Sequence, residues 1–268
     1  MAILYVVATP IGNLEDISQR ALRILNEVKL IAAEDTRLTK RLLMRYDIKT
    51  PMTSYFEHNK LTKLEGILEK LQQDDVALVS DAGMPGISDP GYELIAAAAE
   101  QNIQVVPIPG PSAIISALAV SGLPTDSFKF IGFLPGRSSA RRRTLESLRD
   151  ENATLILLEA PHRLHETLDD MLLTLGDRKI AVCRELTKLH EETFRGMVSE
   201  AINHFTNPRG EFTLVVAGQA AKAKPELTQG IEAQLRELYA KGVPAKEAVA
   251  ALAEETGLKR KELYQKWL

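Results

Sequence analysis

The sequence is poor in the residues that mark secreted, metal-binding and membrane proteins. Its single cysteine, Cys183, cannot form an intramolecular disulfide, so nothing points to an oxidising compartment. Its five histidines show no spacing typical of metal ligation, and we predict no metal site. No apolar run approaches the roughly 20 residues of a membrane span, and the opening MAILYVVATP has no basic, cleavable leader pattern. We therefore expect a cytoplasmic enzyme.

The chain also lacks an excess of positive charge. Its formal net charge is −3, from 33 Lys and Arg against 36 Asp and Glu, which is not typical of a nucleic-acid-binding protein. Positive charge is nevertheless concentrated in two segments, 136–149 with five arginines and one glutamate and 259–268 with four cations and one glutamate. Such clusters create a local positive field, although solvated surface faces are the simpler explanation.

Short apolar runs alternate with amphipathic stretches, which indicates an α/β protein with largely parallel sheets. Strands are predicted at 3–8, 29–34, 76–80, 103–108, 128–133, 154–159, 179–185 and 212–217. Helices are predicted at 17–28, 36–46, 59–71, 91–100, 139–149 and 162–175.

Two breaks interrupt this alternation. Gly122 and Pro124 punctuate the pattern near 121–127, and the stretch 218–226 is small, polar and Pro-ended, as linkers are. The expected organisation is an N-terminal α/β domain over 1–121, a second α/β domain over 122–220 that completes a cleft, and a basic helical module over 226–268.

The last of these segments reads as helical throughout. Pro244 suits a first helical turn, and Gly257 suits the end of that helix. The spacing of Ala253, Gly257 and Leu263 fits a helix-turn-helix. A plain helical hairpin fits these residues nearly as well.

The loop after Val79 reads DAGMPGISDPG and leaves the carboxyl end of a predicted strand, where open parallel sheets bind ligands. It is neither a P-loop nor a G-x-G-x-x-G dinucleotide fingerprint. Asp81 and Asp89 would repel phosphate but suit ribose hydroxyls, an amino group or a cationic centre, all of which S-adenosylmethionine offers. The alternative is a rigid turn in which Asp89 caps the following helix.

Two further loops of the same composition follow predicted strands. In VPIPGPSAI (106–114), Ser112 could cap a helix that starts near Ala113, and the free N–H groups of that helix N-terminus would then be offered to a ligand carboxylate. The alternative is simple capping without a ligand. In ATPIGNLEDI (8–17), Pro10, Gly12 and Asn13 follow the first strand. Three Pro/Gly loops at three strand ends of one sheet predict a composite pocket.

Eight segments carry a resemblance to a known family. TPIGNLEDIS, AAEDTR, LVSDAGMPGISDPG, VPIPGPSA, GFLP, EAPHR, RELTK and GEFTLVVAG occur in this order. Together they resemble the ribosomal RNA small subunit methyltransferase I family, within the tetrapyrrole methylase fold. The resemblance spans about residues 3–218, and the basic tail is similar to the extra C-terminal module of that family.

The resemblance implies two α/β domains of the tetrapyrrole methylase type with S-adenosylmethionine bound between them, and a small all-helical C-terminal module. It implies a homodimer that methylates the 2′-oxygen of a cytidine in the decoding region of 16S ribosomal RNA. Asp81 would meet the ribose or the methionine amino group. Carried onto this chain, the cofactor-binding positions are Pro10, Ile11, Asp81, Gly83, Met84, Ser112, Ala113, Glu159, Ala160 and Thr213.

Candidate catalytic residues come from two charged strand ends. In AAEDTR, Glu34 or Asp35 could accept the hydroxyl proton beside Arg37, or Asp35 caps a helix while Glu34 pairs with Arg37. In RELTK, Arg184 and Lys188 suit phosphate or ribose contacts, or they are a solvated strand end.

RNA would be bound by cations of the two basic segments, since arginine suits phosphate through its planar fork. We expect the substrate to be the small ribosomal subunit. Two other functions stay open: a small-molecule tetrapyrrole methylase of the same fold, and a non-catalytic RNA-binding assembly factor. The predicted RNA contacts are Arg137, Arg141, Arg142, Arg143, Lys259, Arg260 and Lys261.

Overall fold

The computed structural model describes residues 2–56, 60–219 and 228–267. The chain divides into two compact units, Met1–Gly218 and Gln219–Leu268. Beyond Gln219, the predicted linker lies outside the described residues. None of the helices in the described ranges is long and apolar enough to cross a membrane.

The first unit begins with a five-stranded sheet in the order β3-β2-β4-β1-β5, and all of its strand pairs are parallel. The strands are β1 (Ile3–Val7), β2 (Leu30–Ala33), β3 (Met52–Ser54), β4 (Val76–Val79) and β5 (Gln104–Ile108). The helices that follow them are α1 (Gln19–Glu27), α2 (Thr36–Arg45), α3 (Lys60–Lys70), α4 (Tyr92–Glu100) and α5 (Ala113–Ser121).

Apolar residues cover both faces of this sheet because successive strand side chains point to opposite sides. Ile31 joins a buried cluster that contains Ile24 of α1 and Leu42 of α2. Ala32, the next residue, joins the opposite cluster with Ile67 of α3 and Leu94 of α4. This double burial explains why the central strands read as continuous apolar runs.

The second sheet has the order β6-β7-β10-β8-β9. Its strands are β6 (Phe128–Phe133), β7 (Thr154–Glu159), β8 (Lys179–Arg184), β9 (Glu192–Met197) and β10 (Phe212–Val216). The helices α6 (Ser138–Ser147), α7 (Leu164–Leu175) and α8 (Val198–His204) belong to this half. Ala117 and Leu118 of α5 pack against Ala181 of β8 and Val215 of β10, so the last helix of the first half covers one face of the second sheet.

The prediction of largely parallel sheets holds for the first sheet and is wrong for the second. There, β6 and β7 are parallel, whereas β10 runs antiparallel to both β7 and β8, and β9 runs antiparallel to β8. All five residues of β10 are buried. Burial on both faces produces an apolar run whichever way the neighbouring strands point, so the sequence pattern does not encode direction.

The second unit contains α9 (Gln229–Ala240), α10 (Ala245–Thr256) and α11 (Arg260–Tyr264). Leu235, Val249 and Leu263, one from each helix, are buried together. As predicted, Gly257 ends α10: it adopts a left-handed conformation, and its N–H donates to the carbonyl of Ala253.

Candidate functional site

Three loops meet at the carboxyl edge of the first sheet because β4, β1 and β5 are neighbours in it. The loop after β1 is tied to the loop after β4 by two backbone hydrogen bonds, in which Thr9 N–H donates to Gly83 O (2.9 Å) and Gly83 N–H donates to Thr9 O (3.0 Å). The Thr9 hydroxyl also donates to Ser80 O at 3.0 Å. The predicted composite pocket is therefore built into the sheet topology.

The loop after β4 needs glycine for its backbone shape. Gly91 has φ +148°, and a Cβ there would lie 3.0 Å from the Gly86 nitrogen and 3.1 Å from Leu78 Cδ2. Gly91 is also the N-cap of α4, without a side-chain hydrogen bond. The alternative in which Asp89 caps this helix is therefore wrong, and Asp89 instead lines the cavity described next.

The loops enclose a cavity of about 390 Å³ between the two sheets, a size that suits a small-molecule ligand. Eight of the ten predicted cofactor residues line it, and Pro10 and Asp81 lie next to lining residues. Its walls are Ile11, Ala82, Gly83, Met84, Ile87, Ser88, Asp89, Ser112, Ala113 and Ile114 from the first half, with Phe133, Leu158, Glu159, Ala160, Pro161, Glu211, Phe212 and Thr213 from the second.

The charged groups of the cavity wall are acidic. Asp89, Glu159 and Glu211 line it, and no lysine or arginine is among the described residues that do so. Burial, followed by the nearby Glu34 carboxylate, raises the pKa of Asp89 to about 6, although the Ser80 hydroxyl opposes this. These carboxylates disfavour phosphate and favour a cationic ligand, although Glu159 is partly compensated by Arg163 and Glu211 by Lys188.

One part of the wall suits a carboxylate instead. Ser112 caps α5 by accepting a hydrogen bond from Ile115 N–H at 3.4 Å, so the predicted capping role is confirmed. Ser112, Ala113 and Ile114 also line the cavity. The first N–H groups of a helix have no partner within the helix, and the positive end of its dipole favours an anion.

Glu159, at the end of β7, is held by its surroundings. It is 2% exposed. Its carboxylate accepts hydrogen bonds from Thr167 Oγ1 at 2.5 Å and from Ala160 N–H at 2.9 Å. Arg163 places Nε 3.5 Å from Glu159 Oε1 and donates through Nη2 to the carbonyl of Leu134 at 2.6 Å. Glu159 is thus a fixed negative charge in the wall.

A second acidic group lies where β2 and β4 end side by side. Asp81 N–H donates to Glu34 Oε2 at 3.1 Å, and Asp35 N–H donates to Asp81 Oδ1 at 2.9 Å. Burial is the main reason that the pKa of Glu34 is raised, with the negative charges of Asp81 and Asp35 adding to it and the Asp81 N–H opposing. Burial likewise raises the pKa of Asp81.

Asp35 has a different role from Glu34. It caps α2 by accepting from Arg37 N–H at 2.8 Å, and its carboxylate pairs with the Arg37 guanidinium at 2.6 Å. These bonds lower the pKa of Asp35 to about 2. The capping alternative is therefore confirmed for Asp35, whereas the ion pair expected between Glu34 and Arg37 is instead one between Asp35 and Arg37.

Arg184 and Lys188 lie beside the cavity and bind carboxylates of this chain. Arg184 pairs with Glu192 at 3.3 Å and donates to the carbonyl of Arg209 at 2.7 Å. Lys188 Nζ lies 2.9 Å from Glu185 Oε1 and 3.0 Å from Glu211 Oε2. Their predicted contacts with RNA stay predictions.

The arginines of 136–149 separate into buried and exposed residues, which corrects part of the predicted RNA surface. Arg141 is 1% exposed, because its guanidinium binds Asp170 at 2.6 Å and Glu166 at 3.2 Å across the contact between α6 and α7. In this conformation Arg141 cannot reach a phosphate at the surface. Arg142 also binds Asp170, at 2.5 Å, but its side chain is half exposed.

The remaining predicted RNA contacts are exposed: Arg137, Arg143, Lys259, Arg260 and Lys261. Lys259 is the N-cap of α11, which begins at Arg260. The three tail cations therefore lie together at one helix N-terminus, where their charge is unfavourable for the helix dipole.

Sequence reasoning missed several residues of the cavity wall. Phe133 and Glu211 belong to segments already singled out, GFLP and GEFTLVVAG, so their motifs were a usable signal. Phe212 belongs to the same segment as Glu211, and it lies opposite Glu159 in the antiparallel β10–β7 ladder. That pairing could not be found without the strand direction.

Comparisons with known proteins agree with this geometry. Residues 3–202 match the family profile described as Tetrapyrrole (Corrin/Porphyrin) Methylases, and residues 226–268 match the RsmI C-terminal HTH domain. The chain is 52% identical to Ribosomal RNA small subunit methyltransferase I of Synechocystis sp., over 99% of this chain and 97% of that protein. It is 53% identical to the Thermotoga maritima protein of the same name, over 82% of this chain and 100% of that one.

A solved structure shows the same fold at much lower sequence similarity. Uroporphyrin-III-C-methyltransferase from Thermus thermophilus superposes with a TM-score of 0.58 at 19% identity, over 91% of this chain and 100% of that chain. This likeness concerns the fold alone.

Proposed function

The chain belongs to the ribosomal RNA small subunit methyltransferase I family of tetrapyrrole methylases, and from that premise we propose how this S-adenosylmethionine-dependent rRNA methyltransferase selects and modifies its substrate. The proposed reaction is methylation of the 2′-oxygen of a cytidine in the decoding region of 16S ribosomal RNA. The observation that supports it is the cavity whose charged lining residues are carboxylates, next to the strand ends that carry Glu34 and Asp81.

The cavity fits S-adenosylmethionine by the chemistry of its wall. Asp89, Glu159 and Glu211 provide negative charge for a sulfonium and an amino group. The N-terminus of α5 after Ser112 provides N–H groups for a carboxylate, and apolar residues such as Leu158 provide surface for an adenine. When bound, S-adenosylmethionine supplies a methyl group on a good leaving group.

The protein must therefore position the ribose hydroxyl and remove its proton. Positioning of the reacting groups lowers the activation free energy by at most about 7–11 kcal/mol. A general base typically raises the rate by a factor of about 10²–10⁴. Of the predicted acids, Glu34 is the better base because its pKa is raised. Asp35 has a pKa of about 2 and is a weak base. We assign proton removal to Glu34, oriented by the Asp81 N–H.

RNA would approach along the exposed cations outside the cavity. The Arg37 side chain is 87% exposed and pairs with Asp35, and it lines a surface pocket together with Glu34, so we infer that Arg37 holds the ribose phosphate. Arg137 and Arg143 are further exposed cations of the same unit, and Lys259, Arg260 and Lys261 of the second unit are proposed as separate RNA contacts. With a net charge of −3, the whole-chain field does not favour free RNA, and the assembled small subunit is the proposed substrate.

The family resemblance also supports a homodimer that acts in the cytoplasm. Sedimentation of the purified chain over a concentration series tests the dimer. A single species at the mass of one chain, 29.6 kDa, would contradict it.

The experiment that tests the reaction is transfer of label from methyl-labelled S-adenosylmethionine to unmethylated small subunits, to the same 16S RNA without proteins, and to a tetrapyrrole. We expect label on subunits, in a dinucleotide that resists alkaline cleavage because its 2′-oxygen is methylated. Equal labelling of free RNA would contradict the subunit preference. Labelling of the tetrapyrrole alone would favour small-molecule methylation, and cofactor binding without any transfer would favour a non-catalytic RNA-binding protein.

A further inference from the structure

The connection between β8 and β9 joins the two walls of the cavity. This connection, residues 185–191, follows Arg184 and contains two non-glycine residues with left-handed backbone, Glu185 at φ 50° and Thr187 at φ 67°. Such conformations are uncommon for these residue types and persist where the surroundings hold them. The contacts of the connection show what holds it.

On one side, the connection is bound to the start of β10. The Lys188 ammonium lies 2.9 Å from Glu185 Oε1 and 3.0 Å from Glu211 Oε2. Glu185 also accepts the Glu211 N–H through Oε1 at 3.0 Å and donates its own N–H to Glu211 O at 3.0 Å. Glu211 and the next two residues line the cavity, so these bonds fix that part of its wall.

On the other side, the connection touches the loop after β1. A Cβ at Gly12 would lie 2.4 Å from Lys188 Cγ and 2.9 Å from Thr187 Oγ1. Asn13 N–H donates to Thr187 Oγ1 at 3.1 Å. Ile11, one residue before Gly12, lines the cavity. The stem of Lys188 therefore packs on the first wall while its ammonium binds the second.

We propose that Lys188 is a positioning residue for the methyl donor, which sets the separation of the two cavity walls, rather than a contact to RNA. The inference rests on the proposed function, in which the cavity binds S-adenosylmethionine. The geometry favours positioning over an RNA contact because the Glu185 and Glu211 carboxylates already neutralise the Lys188 ammonium. Burial lowers the pKa of Lys188, but the bonds from Glu185 and Glu211 outweigh this and raise it, so the ammonium stays charged in place.

The test is titration calorimetry of S-adenosylmethionine against the wild type and Lys188→Met, which keeps much of the stem and removes the charge. We expect the Kd to rise about tenfold, the equivalent of losing about 1.4 kcal/mol. The direction of the change in Kd distinguishes the two effects, since loss of a positive charge beside an acidic cavity would by itself lower the Kd for a cation. Lys188→Arg keeps the charge and is expected to restore most of the affinity.

A matched control is Lys129→Met. Lys129 lies on β6 outside the cavity wall and pairs with Glu151 at 3.3 Å. We expect the Lys129→Met variant to bind S-adenosylmethionine with the Kd of the wild type. If Lys188→Met lowers the thermal midpoint too far for calorimetry, Thr187→Val is used, because it removes the acceptor of Asn13 and should also weaken S-adenosylmethionine binding.

Kinetics on small subunits separate this role from an RNA contact. We expect Lys188→Met to leave the slope of log kcat/KM against log salt unchanged at saturating S-adenosylmethionine. An unchanged Kd would overturn the inference, and a salt slope reduced by about one would reassign Lys188 to a phosphate. If the wild type bound no S-adenosylmethionine, the proposed function would fail first, and the two failures are therefore distinguishable.

Discussion

Replacing Asp170 by alanine should destabilise the protein more than removal of any surface carboxylate. The Asp170 side chain is 4% exposed and accepts hydrogen bonds from Arg141 Nε (2.6 Å), Arg142 Nε (2.5 Å) and Ser138 Oγ (3.2 Å). Without it, the Arg141 guanidinium stays buried and keeps Glu166 as its remaining carboxylate partner, at 3.2 Å.

The size of the effect follows from this burial. Removing one partner of a buried ion pair costs about 3–5 kcal/mol because it leaves an uncompensated charge. The Glu166 side chain is 65% exposed and its attraction to Arg141 is screened, but it still offsets part of the loss. We therefore expect about 3 kcal/mol, which lowers the thermal midpoint by about 6–12 °C at 2–4 °C per kcal/mol for a chain of this size.

The assay is urea unfolding followed by circular dichroism, with thermal scans of the same variants. Glu27→Ala is the matched surface control, since the Arg23–Glu27 pair is exposed at both ends (58% and 54%); it should cost less than about 0.5 kcal/mol. The double variant Arg141→Met with Asp170→Leu should recover most of the loss, because apolar residues of similar volume replace a buried pair at little cost.

Two results would refute this reasoning. A loss below about 1 kcal/mol for Asp170→Ala would mean that water reaches Arg141 and screens it. A lower RNA affinity for Arg141→Met at an unchanged thermal midpoint would mean that Arg141 is a surface contact after all.

Three further predictions concern the site. Asp89→Asn should remove a pH dependence of stability: because the pKa of Asp89 is raised from 3.8 to about 6, the wild type loses stability as pH rises from about 3.8 to about 6. The ionised carboxylate binds S-adenosylmethionine more tightly, so the variant should be more stable and bind more weakly at pH 7.5, with Asp126→Asn as the exposed control. Glu34→Gln should lower kcat about 10²–10⁴-fold in single-turnover assays at an unchanged Kd for S-adenosylmethionine, and an unaltered kcat would exclude Glu34 as the base. Gly12→Ala should weaken S-adenosylmethionine binding in calorimetry, because its Cβ would lie 2.4 Å from Lys188 Cγ; a wild-type Kd for this variant would show that the steric reasoning is wrong.

The ligand loops could be predicted from the sequence because their residue types are dictated by backbone requirements. Glycine at position 91 allows a conformation and a close approach that a side chain would prevent. Ser112 is a good helix cap in any context, so its place at the start of α5 followed from local signals. The sequence does not show that β4, β1 and β5 are neighbours, because these strands pair over long sequence distances. The three Pro/Gly loops that follow them nevertheless indicated a shared pocket.

Burial of polar residues could not be predicted in the same way. Arg141 and Arg143 lie in the same basic segment, yet Arg141 is 1% exposed and Arg143 is exposed. The difference arises because Asp170 and Glu166, on a helix more than twenty residues later, face α6 at Arg141. Two edge strands were also missed: β3 has only three residues and β9 reads ETFRGM, and neither has the apolar run of a central strand.

The distribution of charge explains how a protein of net charge −3 can act on a polyanion. The negative charges of Asp89, Glu159 and Glu211 line the cavity, where RNA phosphate would be repelled and a cationic methyl donor attracted. Arg37 lies outside that wall, with its side chain 87% exposed and paired with Asp35. If RNA is held at Arg37 as proposed, a phosphate that moved further inward would approach the carboxylates of Glu34 and Asp81. Repulsion from these groups would stop the RNA phosphates outside the cavity. An uncharged group, such as a ribose hydroxyl, would then be the part of the RNA that can reach the methyl donor.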